Sequence, residues 1–261
     1  MRSVKYILII VFFTGLFVVC SCESQSATAS DKETNIAEPN TTISELGIEV
    51  DTFKTNGGDL KITFVGHGTL MFEFADKVIH VDPVGREADY TKMPKADLIL
   101  ITHEHGDHLD PKAIDTIKKD GTEMILTQVC SEQVSDGQVM KNGDTKTVMG
   151  LMIEAVPAYN LEKNFHPKGR GNGYVITFAD KKVYVAGDTE NIPEMKNLKN
   201  IDIAFLPMNL PYTMSPEMAA DAAKVIKPKI LYPYHYSQTD TSIIVELLKD
   251  SETDVRIRQM Q

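Results

Sequence analysis

The sequence predicts an α/β domain in which two β-sheets pack against each other, with helices on the outside. Two hairpins are predicted, around Ala75-Asp76 and around Ala179-Asp180, and each is followed by strands that alternate with helices. Two packed sheets flanked by helices satisfy this order of elements. The length of 261 residues and a hydrophobic content of 42% are enough for one substantial core.

Apolar runs bounded by turn residues mark the strands of both halves of the chain. In the first half we predict seven strands, at residues 60–65, 69–74, 77–81, 96–102, 123–127, 145–149 and 151–157. In the second half we predict five strands, at residues 174–178, 182–186, 201–206, 229–233 and 255–258. The second half therefore repeats the order of secondary-structure elements predicted for the first half.

Capping residues predict where the helices begin. Asp110 is a suitable N-cap, and Pro111 is well placed at the first helical position directly after the strand at 96–102. Ser215-Pro216 starts a second helix in the same way, and that helix runs to about residue 226. A third helix is predicted at residues 242–249.

The N-terminus, residues 1–21, is predicted to be a lipoprotein signal peptide. Basic residues precede an apolar stretch at 6–19, which is shorter than the roughly 20 residues that a bilayer span needs. Val19-Cys20-Ser21-Cys22 is similar to a bacterial lipobox, with Cys20 as a weaker alternative cleavage position. We therefore expect Cys22 to carry the lipid and to anchor the protein in the bacterial cell envelope, on the periplasmic or outer surface. A plain secretory signal or an uncleaved anchor is the alternative.

Residues 22–57 are predicted to be a disordered tether, and residues 58–261 to be the folded domain. The segment 23–42 is rich in Ser, Thr, Ala, Asn and Glu and has no sustained apolar period. Once Cys22 is lipidated, Cys130 has no partner for a disulfide, and we interpret it as a small buried hydrophobic residue. The net charge of −10 argues against a nucleic-acid partner.

The run His103-Glu104-His105-Gly106-Asp107-His108 carries most of the functional information. It follows a predicted strand and holds three imidazoles and carboxylates, which are common ligands of zinc-like cations. Solvated turns favour Gly, Asn, Asp and Ser rather than His, so a polar turn explains the run poorly. The helical metalloprotease motif is excluded because position 107 is Asp where a second His is required. We predict that this loop serves two neighbouring metals.

Three further candidate ligands stand near predicted strand ends. They are His166 in a glycine-containing loop, Asp188 in Ala186-Gly187-Asp188-Thr189, and His235 at the end of the strand at 229–233. Each of them alone is a weak signal, because strand-end Asp and His residues are common turn and surface residues. Together with the first motif they supply enough ligands for two metals.

The motif His103-x-His105-x-Asp107-His108 is the signature of the metallo-β-lactamase superfamily, which the chain resembles over residues 60–240. Within the superfamily the chain is most similar to the L-ascorbate-6-phosphate lactonases and related metal-dependent hydrolases. The segments that carry this similarity are Gly66-His67-Gly68-Thr69, Val81-Asp82-Pro83, Ala186-Gly187-Asp188-Thr189, Tyr212-Thr213-Met214-Ser215-Pro216-Glu217 and Pro233-Tyr234-His235-Tyr236. The resemblance implies an αββα sandwich, two mixed sheets flanked by helices, with metals at the strand ends.

The resemblance also implies a ligand set for two divalent cations, zinc in the first place, with manganese or iron as alternatives. The first cation would take His103, His105 and His166, the second would take Asp107, His108 and His235, and Asp188 would bridge them. Relatives often place the third His soon after a Pro-Ala-aromatic turn. Here Asn160 follows that turn, and His166 is the natural replacement.

Other residues receive roles by the same resemblance. Asp107 would orient the attacking hydroxide as well as bind, and His67 would act in catalysis or contact substrate, unless it is only a turn residue. Asp82 would orient a ligand or cap its strand, and we favour the structural role. A set of polar residues would bind a small, anionic substrate, unless its basic members are solvated loop charges: Lys168, Arg170, Tyr212 and Thr213.

The function predicted from these residues is metal-dependent hydrolysis of a small ester, lactone or phosphodiester at the cell envelope. One alternative is a phospholipase D-like lipid phosphodiesterase, which needs an exposed apolar patch beside the site. Candidates for such a patch are Met208, Leu210, Tyr212 and Met214. Another alternative is a metal-binding or ligand-binding lipoprotein without catalysis. A two-iron oxidoreductase is disfavoured because those relatives carry Glu where this chain has His105, and a true β-lactamase fits the segments less well.

Overall fold

The computed structural model describes residues 47–261, which form two seven-stranded sheets. The first sheet contains β1 (Glu49–Thr55), β2 (Gly58–Gly66), β3 (Thr69–Phe74), β4 (Lys77–Val81), β5 (Leu98–Leu100), β6 (Glu123–Leu126) and β7 (Gln138–Val139). The second contains β8 (Thr145–Val148), β9 (Leu151–Ala158), β10 (Gly171–Phe178), β11 (Lys181–Val185), β12 (Ile203–Pro207), β13 (Ile230–Tyr234) and β14 (Asp254–Val255). The helices are α1 (Pro111–Ile117), α2 (Pro216–Ile226) and α3 (Ser242–Leu248), with 3-10 helices at Cys130–Glu132 and Pro193–Asn197.

The two sheets share one topology. The strands of each sheet lie side by side in chain order. In each sheet the first four strands pair antiparallel with their neighbours, and the fourth to the seventh strands pair parallel. The carboxyl ends of β2, β4 and β5 therefore lie along one edge of the first sheet. The carboxyl ends of β9, β11 and β13 share one edge of the second. The predicted sandwich of two mixed sheets is confirmed.

Alternation of side chains along the strands builds two cores. In β5, Leu98 and Leu100 contribute to the large core between the sheets, whereas Ile99 contributes to a second core beneath α1. The helix α1 supplies Ile114 and Ile117 to that second core. Each sheet is thus covered on its inner face by the other sheet, as the predicted sandwich requires.

Most of the predicted elements are found within a few residues of their expected bounds, including the capped starts of α1 and α2. The side chain of Asp110 accepts hydrogen bonds from the N–H groups of Lys112 and Ala113, and that of Ser215 accepts one from Met218. Cys130 is fully buried, and burial raises the pKa of its thiol to about 11. Across residues 47–261, none of the helices combines the length and hydrophobicity that crossing a bilayer requires.

The predicted tether is wrong at its C-terminal end, because residues 49–55 form the edge strand β1. This strand pairs antiparallel with β2 along its whole length, from Glu49 opposite Phe64 to Thr55 opposite Gly58. The carboxylate of Asp51 also accepts two hydrogen bonds from Arg258, at 2.7 and 2.8 Å. The folded domain therefore begins before residue 58. The predicted signal peptide, Cys22 and the tether up to residue 46 lie outside the described residues.

Candidate metal centre

Six of the seven histidines of the chain converge at the carboxyl ends of the strands. The six are His67 after β2, His103, His105 and His108 after β5, His166 between β9 and β10, and His235 after β13. The seventh, His80, lies inside β4 and contacts the carbonyl oxygen of Pro94, and burial lowers its pKa to about 4. His80 is thus structural, as its mid-strand position predicts.

Three residues near this centre have left-handed backbones directly after a strand. The φ angles are 49° at His67, 47° at Asp82 and 48° at His235. Such angles are uncommon outside glycine and persist where the surrounding structure fixes them, often at functional sites. The backbone of His67 also accepts a 3.0 Å hydrogen bond from the N–H of His235, which ties β2 to β13 across the two sheets.

A first group of possible ligands contains His103, His105 and His166. One ring nitrogen from each lies within 4.8 Å of the others. The Nε2 atom of His166 is 3.2 Å from Oδ2 of Asp188, and that of His103 is 3.9 Å from the same oxygen. Two atoms bound to one tetrahedral zinc at about 2.0–2.1 Å lie roughly 3.3 Å apart. The first group therefore has the spacing of a metal site that is completed by Asp188.

A second group contains Asp107, His108 and His235, together with His67, again within 4.8 Å of one another. The Nε2 atom of His235 is 3.3 Å from Oδ2 of Asp188, and that of His108 is 3.4 Å from Oδ1. Asp188 therefore faces both groups. The structure thus brings together the seven residues that the sequence suggested as metal ligands.

Several polar atoms at the centre of these groups are buried without a hydrogen-bond partner among residues 47–261. They are Nε2 of His103, Nε2 of His108, both ring nitrogens of His235 and Oδ1 of Asp188. Buried polar atoms are nearly always paired, because leaving them unpaired costs free energy. Cations between the rings and the carboxylate would satisfy one nitrogen of each ring and the oxygen of Asp188, so the residues present fit metal ions.

Asp82 orients two of the histidines. Its carboxylate accepts a 2.8 Å hydrogen bond from Nδ1 of His108 and a 2.6 Å hydrogen bond from the hydroxyl of Thr102. Since that hydroxyl donates to Asp82, it accepts from Nδ1 of His103, 3.0 Å away. When neutral, both rings therefore direct the lone pair of Nε2 at the centre, as metal ligands do when their other nitrogen is hydrogen-bonded. Asp82 therefore combines the two roles considered from sequence: it orients His108 directly and His103 through Thr102, and its Oδ1 atom accepts the backbone N–H of Thr102 at 2.7 Å.

Asn160 orients His166 in the same way. Its side-chain oxygen accepts hydrogen bonds from Nδ1 of His166, at 2.7 Å, and from the backbone N–H of His166, at 2.9 Å. Its amide group donates to the carbonyl oxygen of Tyr212 at 3.0 Å. Sequence reasoning treated Asn160 only as the residue that replaces a histidine. Its polar side chain directly after β9 was the available signal for a role at the site.

The carboxylates and the imidazoles shift each other's protonation. Burial acts to lower the pKa of His108, but the carboxylates of Asp188 and Asp82 raise it to about 9. Burial acts to raise the pKa of Asp188, but His235 and His108 hold it well below its usual range. Burial lowers the pKa of His103 and of His105. The centre therefore keeps an ionised carboxylate, and a cation at His108 would displace a proton.

A cleft of about 380 Å³ opens onto this centre and is lined by both metal-site and apolar residues. Phe165 and Tyr212 form its mouth, with their rings in a T-shaped contact 4.9 Å apart. Both side chains are exposed, at 41% and 46%. We call these two residues the aromatic lip. Leu161 and Leu210, in the same two loops, are also about half exposed.

Of the four predicted substrate residues, only Tyr212 lines the cleft. Tyr212 lies at the cleft, but Thr213 is fully buried and its hydroxyl bonds only the backbone of Asn209, so the prediction for Thr213 is wrong. The ammonium group of Lys168 contacts Glu194 at 2.7 Å and is not among the residues that line the cleft. The guanidinium of Arg170 contacts Glu104 at 2.6 Å. Both predicted cations are therefore already paired with carboxylates.

We expect Gly68→Ala to disturb the second group specifically. A Cβ atom at position 68 would lie 2.5 Å from Cε1 of His108, a ring that Asp82 holds in place. The displaced ring should lose its cation, so elemental analysis should find less metal than in the wild type while the circular dichroism spectrum is retained. Gly106→Ala is the control, because no atom lies within 4 Å of its Cβ position. Equal metal content in both variants would contradict the geometry of the second group.

Comparison with known proteins places this centre in a family. The beta-lactamase superfamily domain matches residues 61–235, a range that contains every residue of the two groups. A UPF0173 metal-dependent hydrolase of Thermococcus kodakarensis is 32% identical over 193 residues, which cover 68% of this chain and 85% of the relative.

Solved structures of two hydrolases have a fold similar to that of this chain. The crystal structure of a proposed metal-dependent hydrolase from Parabacteroides distasonis is 55% identical, with a TM-score of 0.81, and the match covers 82% of this chain and 100% of that one. Igni18, a metallo hydrolase from Ignicoccus hospitalis, is 26% identical, with a TM-score of 0.65 and coverage of 77% and 95%. The chain therefore belongs to the beta-lactamase superfamily and is a metal-dependent hydrolase with the metallo-β-lactamase fold.

Proposed function

We propose that the two groups bind two divalent cations and that the enzyme hydrolyses a small ester, lactone or phosphodiester. The observation that carries this proposal is the set of unpartnered, buried Nε2 atoms that surround Asp188 on both sides. His103, His105 and His166 would hold the first cation, Asp107, His108 and His235 would hold the second, and Asp188 faces both groups. Imidazole and carboxylate ligands suit zinc first, and manganese or iron as alternatives.

When bound, the cations supply Lewis acidity, which makes water nucleophilic near neutral pH and stabilises negative charge that develops on the substrate. The protein's own residues provide the rest. The side chain of Asp107 is 32% exposed, whereas that of Asp188 is 3% exposed, so Asp107 is the carboxylate that water in the cleft can reach. We assign to Asp107 the orientation of the attacking water, and to Asp188 the spacing of the two groups.

The aromatic lip favours a substrate with an apolar group next to the scissile bond. Phe165 and Tyr212 offer exposed ring surface within the cleft, while Lys168 and Arg170 are paired with acidic residues. This arrangement supports a neutral acyl or aryl group more than a phosphorylated sugar. The exposed aromatic lip is the reason that a lipid phosphodiesterase is kept as a second candidate function. The patch differs from the one predicted, because Met208 and Met214 are fully buried.

We also propose that the enzyme works at the bacterial cell envelope, held by a lipid on Cys22. The support is in the sequence alone, where an apolar stretch at 6–19 precedes Val19-Cys20-Ser21-Cys22. A substrate with an apolar group would be concentrated at such a membrane surface.

For the metal sites, we expect elemental analysis of a soluble form that starts after Cys22 to find two equivalents of divalent metal. His166→Ala should reduce this to about one, because the first group loses one of its three rings while the second keeps all of its ligands. His80→Gln is the matched control, since it removes a buried histidine outside both groups and should retain two equivalents. A wild-type protein that takes up no metal even after reconstitution would refute the proposed chemistry.

For the aromatic lip, we expect the wild type to prefer long over short acyl chains in a series from 4-nitrophenyl acetate to 4-nitrophenyl octanoate. Burying a large apolar side chain contributes about 1.5–3 kcal/mol. Phe165→Ala should therefore raise KM for the octanoate by roughly tenfold and leave that for the acetate nearly unchanged. Leu247→Ala removes an exposed leucine of α3 as the control. Equal effects of Phe165→Ala on both esters would argue against a substrate role for the lip.

For the anchor, we expect radiolabelled palmitate to be incorporated into the full chain expressed in a bacterium, and the protein to sediment with membranes. Cys22→Ala should abolish the label because the acylated thiol is gone. Cys130→Ala should keep it, because the Cys130 thiol is buried in the folded domain. Label that persists in Cys22→Ala would show that another residue is modified.

A further inference from the structure

The imidazole of His67 lies between two hydrogen-bond acceptors. Its Nδ1 atom is 3.1 Å from a backbone oxygen of Gln261, and its Nε2 atom is 3.3 Å from Oδ2 of Asp107. A neutral imidazole has one N–H group, so it can donate to only one of these oxygens. The other contact then places a nitrogen lone pair against an oxygen, which is unfavourable unless a cation lies between them or the ring takes up a second proton.

The contact with Gln261 repeats a pattern seen at three other histidines of the centre. The Nδ1 atoms of His103, His108 and His166 each face an oxygen, from Thr102, Asp82 and Asn160 respectively. Histidines that bind metals usually donate their second ring N–H to a carboxylate or a carbonyl oxygen, which fixes the tautomer and the ring orientation. By the same geometry, a metal-bound His67 would donate from Nδ1 to Gln261 and direct the lone pair of Nε2 at the second group.

The position of His67 suits direct binding. Its ring lies against that of His235, with centroids 3.7 Å apart and planes tilted by 38°, and its side chain is only 12% exposed. The 3.3 Å separation from Asp107 matches the roughly 3.3 Å expected between two ligand atoms on one tetrahedral zinc. All four residues of the second group, including His67, bring one ligand atom within 4.8 Å of the others.

We propose that His67 is a ligand of the second cation and that the backbone oxygen of Gln261 positions its ring. This inference rests on the proposed function, because it needs a cation in the second group. It makes the two sites unequal. The second cation has five protein ligands, His67, Asp107, His108, His235 and Asp188, whereas the first has four, His103, His105, His166 and Asp188. The second cation should therefore be the more difficult one to remove with a chelator.

The segment that carries Gln261 is itself fixed to the domain. Met260 is fully buried, its N–H donates to the hydroxyl of Tyr236 at 3.3 Å, and its carbonyl oxygen accepts from the N–H of Tyr236 at 3.3 Å. Arg258 pairs with Asp51 of β1 at 2.7 Å. The edge strand β1 is thus linked to the segment at residues 258–261, and that segment contacts the ring of His67. These contacts connect β1 to the second group.

The test compares the wild type with His67→Asn by competition between the protein and a chelator for zinc. Asn is chosen because it tolerates the left-handed backbone at this position. We expect the tighter of the two equivalents to weaken by at least about tenfold, with the other unchanged. In the cobalt-substituted variant, the visible d–d bands should become more intense as the second site falls from five to four protein ligands. Asn209→Ala, which alters the cleft without removing a ring nitrogen, is the control.

Two further measurements keep the inference falsifiable if His67→Asn folds poorly. In the wild type labelled with ¹⁵N-histidine and loaded with zinc, the Nε2 resonance of His67 should have a metal-bound shift and no attached proton. Removing Gln261 should weaken the tighter equivalent by roughly tenfold, because the ring loses the oxygen that orients it.

Three outcomes would overturn the inference. Unchanged zinc affinity in His67→Asn, with a lower kcat/KM, would show that His67 contacts substrate or transfers a proton instead. A protonated Nε2 in the labelled wild type would show the same. A wild type that binds fewer than two cations would overturn the proposed function itself, and so differs from a failure at His67 alone.

Discussion

An ionised carboxylate enclosed by imidazoles is the interaction on which the rest of this centre depends. The Nε2 atoms of four histidines lie 3.2–3.9 Å from the oxygens of Asp188: His103, His108, His166 and His235. Taking a carboxylate out of water costs several kcal/mol unless positive charge lies beside it. Burial lowers the pKa of His103, so a proton is a poor source of that charge on the first-group side. A divalent cation on each side would supply it.

The topology explains why these residues meet. Each sheet changes from antiparallel to parallel pairing along its width, so strands separated in sequence end at the same edge. The first sheet delivers the motif that begins at His103, and the second delivers Asp188 and His235. The hydrogen bond between the backbones of His67 and His235 joins the two edges. Neither half of the chain could form the centre alone, because Asp188 lies in one half and most of the imidazoles in the other.

The sequence was sufficient for the sandwich and for the residues that converge at the strand ends, because both leave local patterns. Apolar runs predicted the buried strands, and the His103–His108 motif with three residues near strand ends predicted which side chains meet. The edge strand β1 was missed because it is exposed on alternate residues and lies next to a polar stretch. Thr213 was misassigned because sequence does not show which way a loop side chain points. The pairing of Lys168 with Glu194 likewise joins residues 26 positions apart.

The least predictable contacts are those in which the backbone is the partner. The backbone oxygen of Gln261 has no sequence signature, and it contacts a ring 194 positions earlier in the chain. That contact depends on the pairing of Arg258 with Asp51, and so on an edge strand far from the chemistry along the sequence. Substitutions in β1 or near residue 260 should therefore reach the second site through the ring of His67. An edge strand that would otherwise only extend a sheet becomes part of the support of a metal ligand.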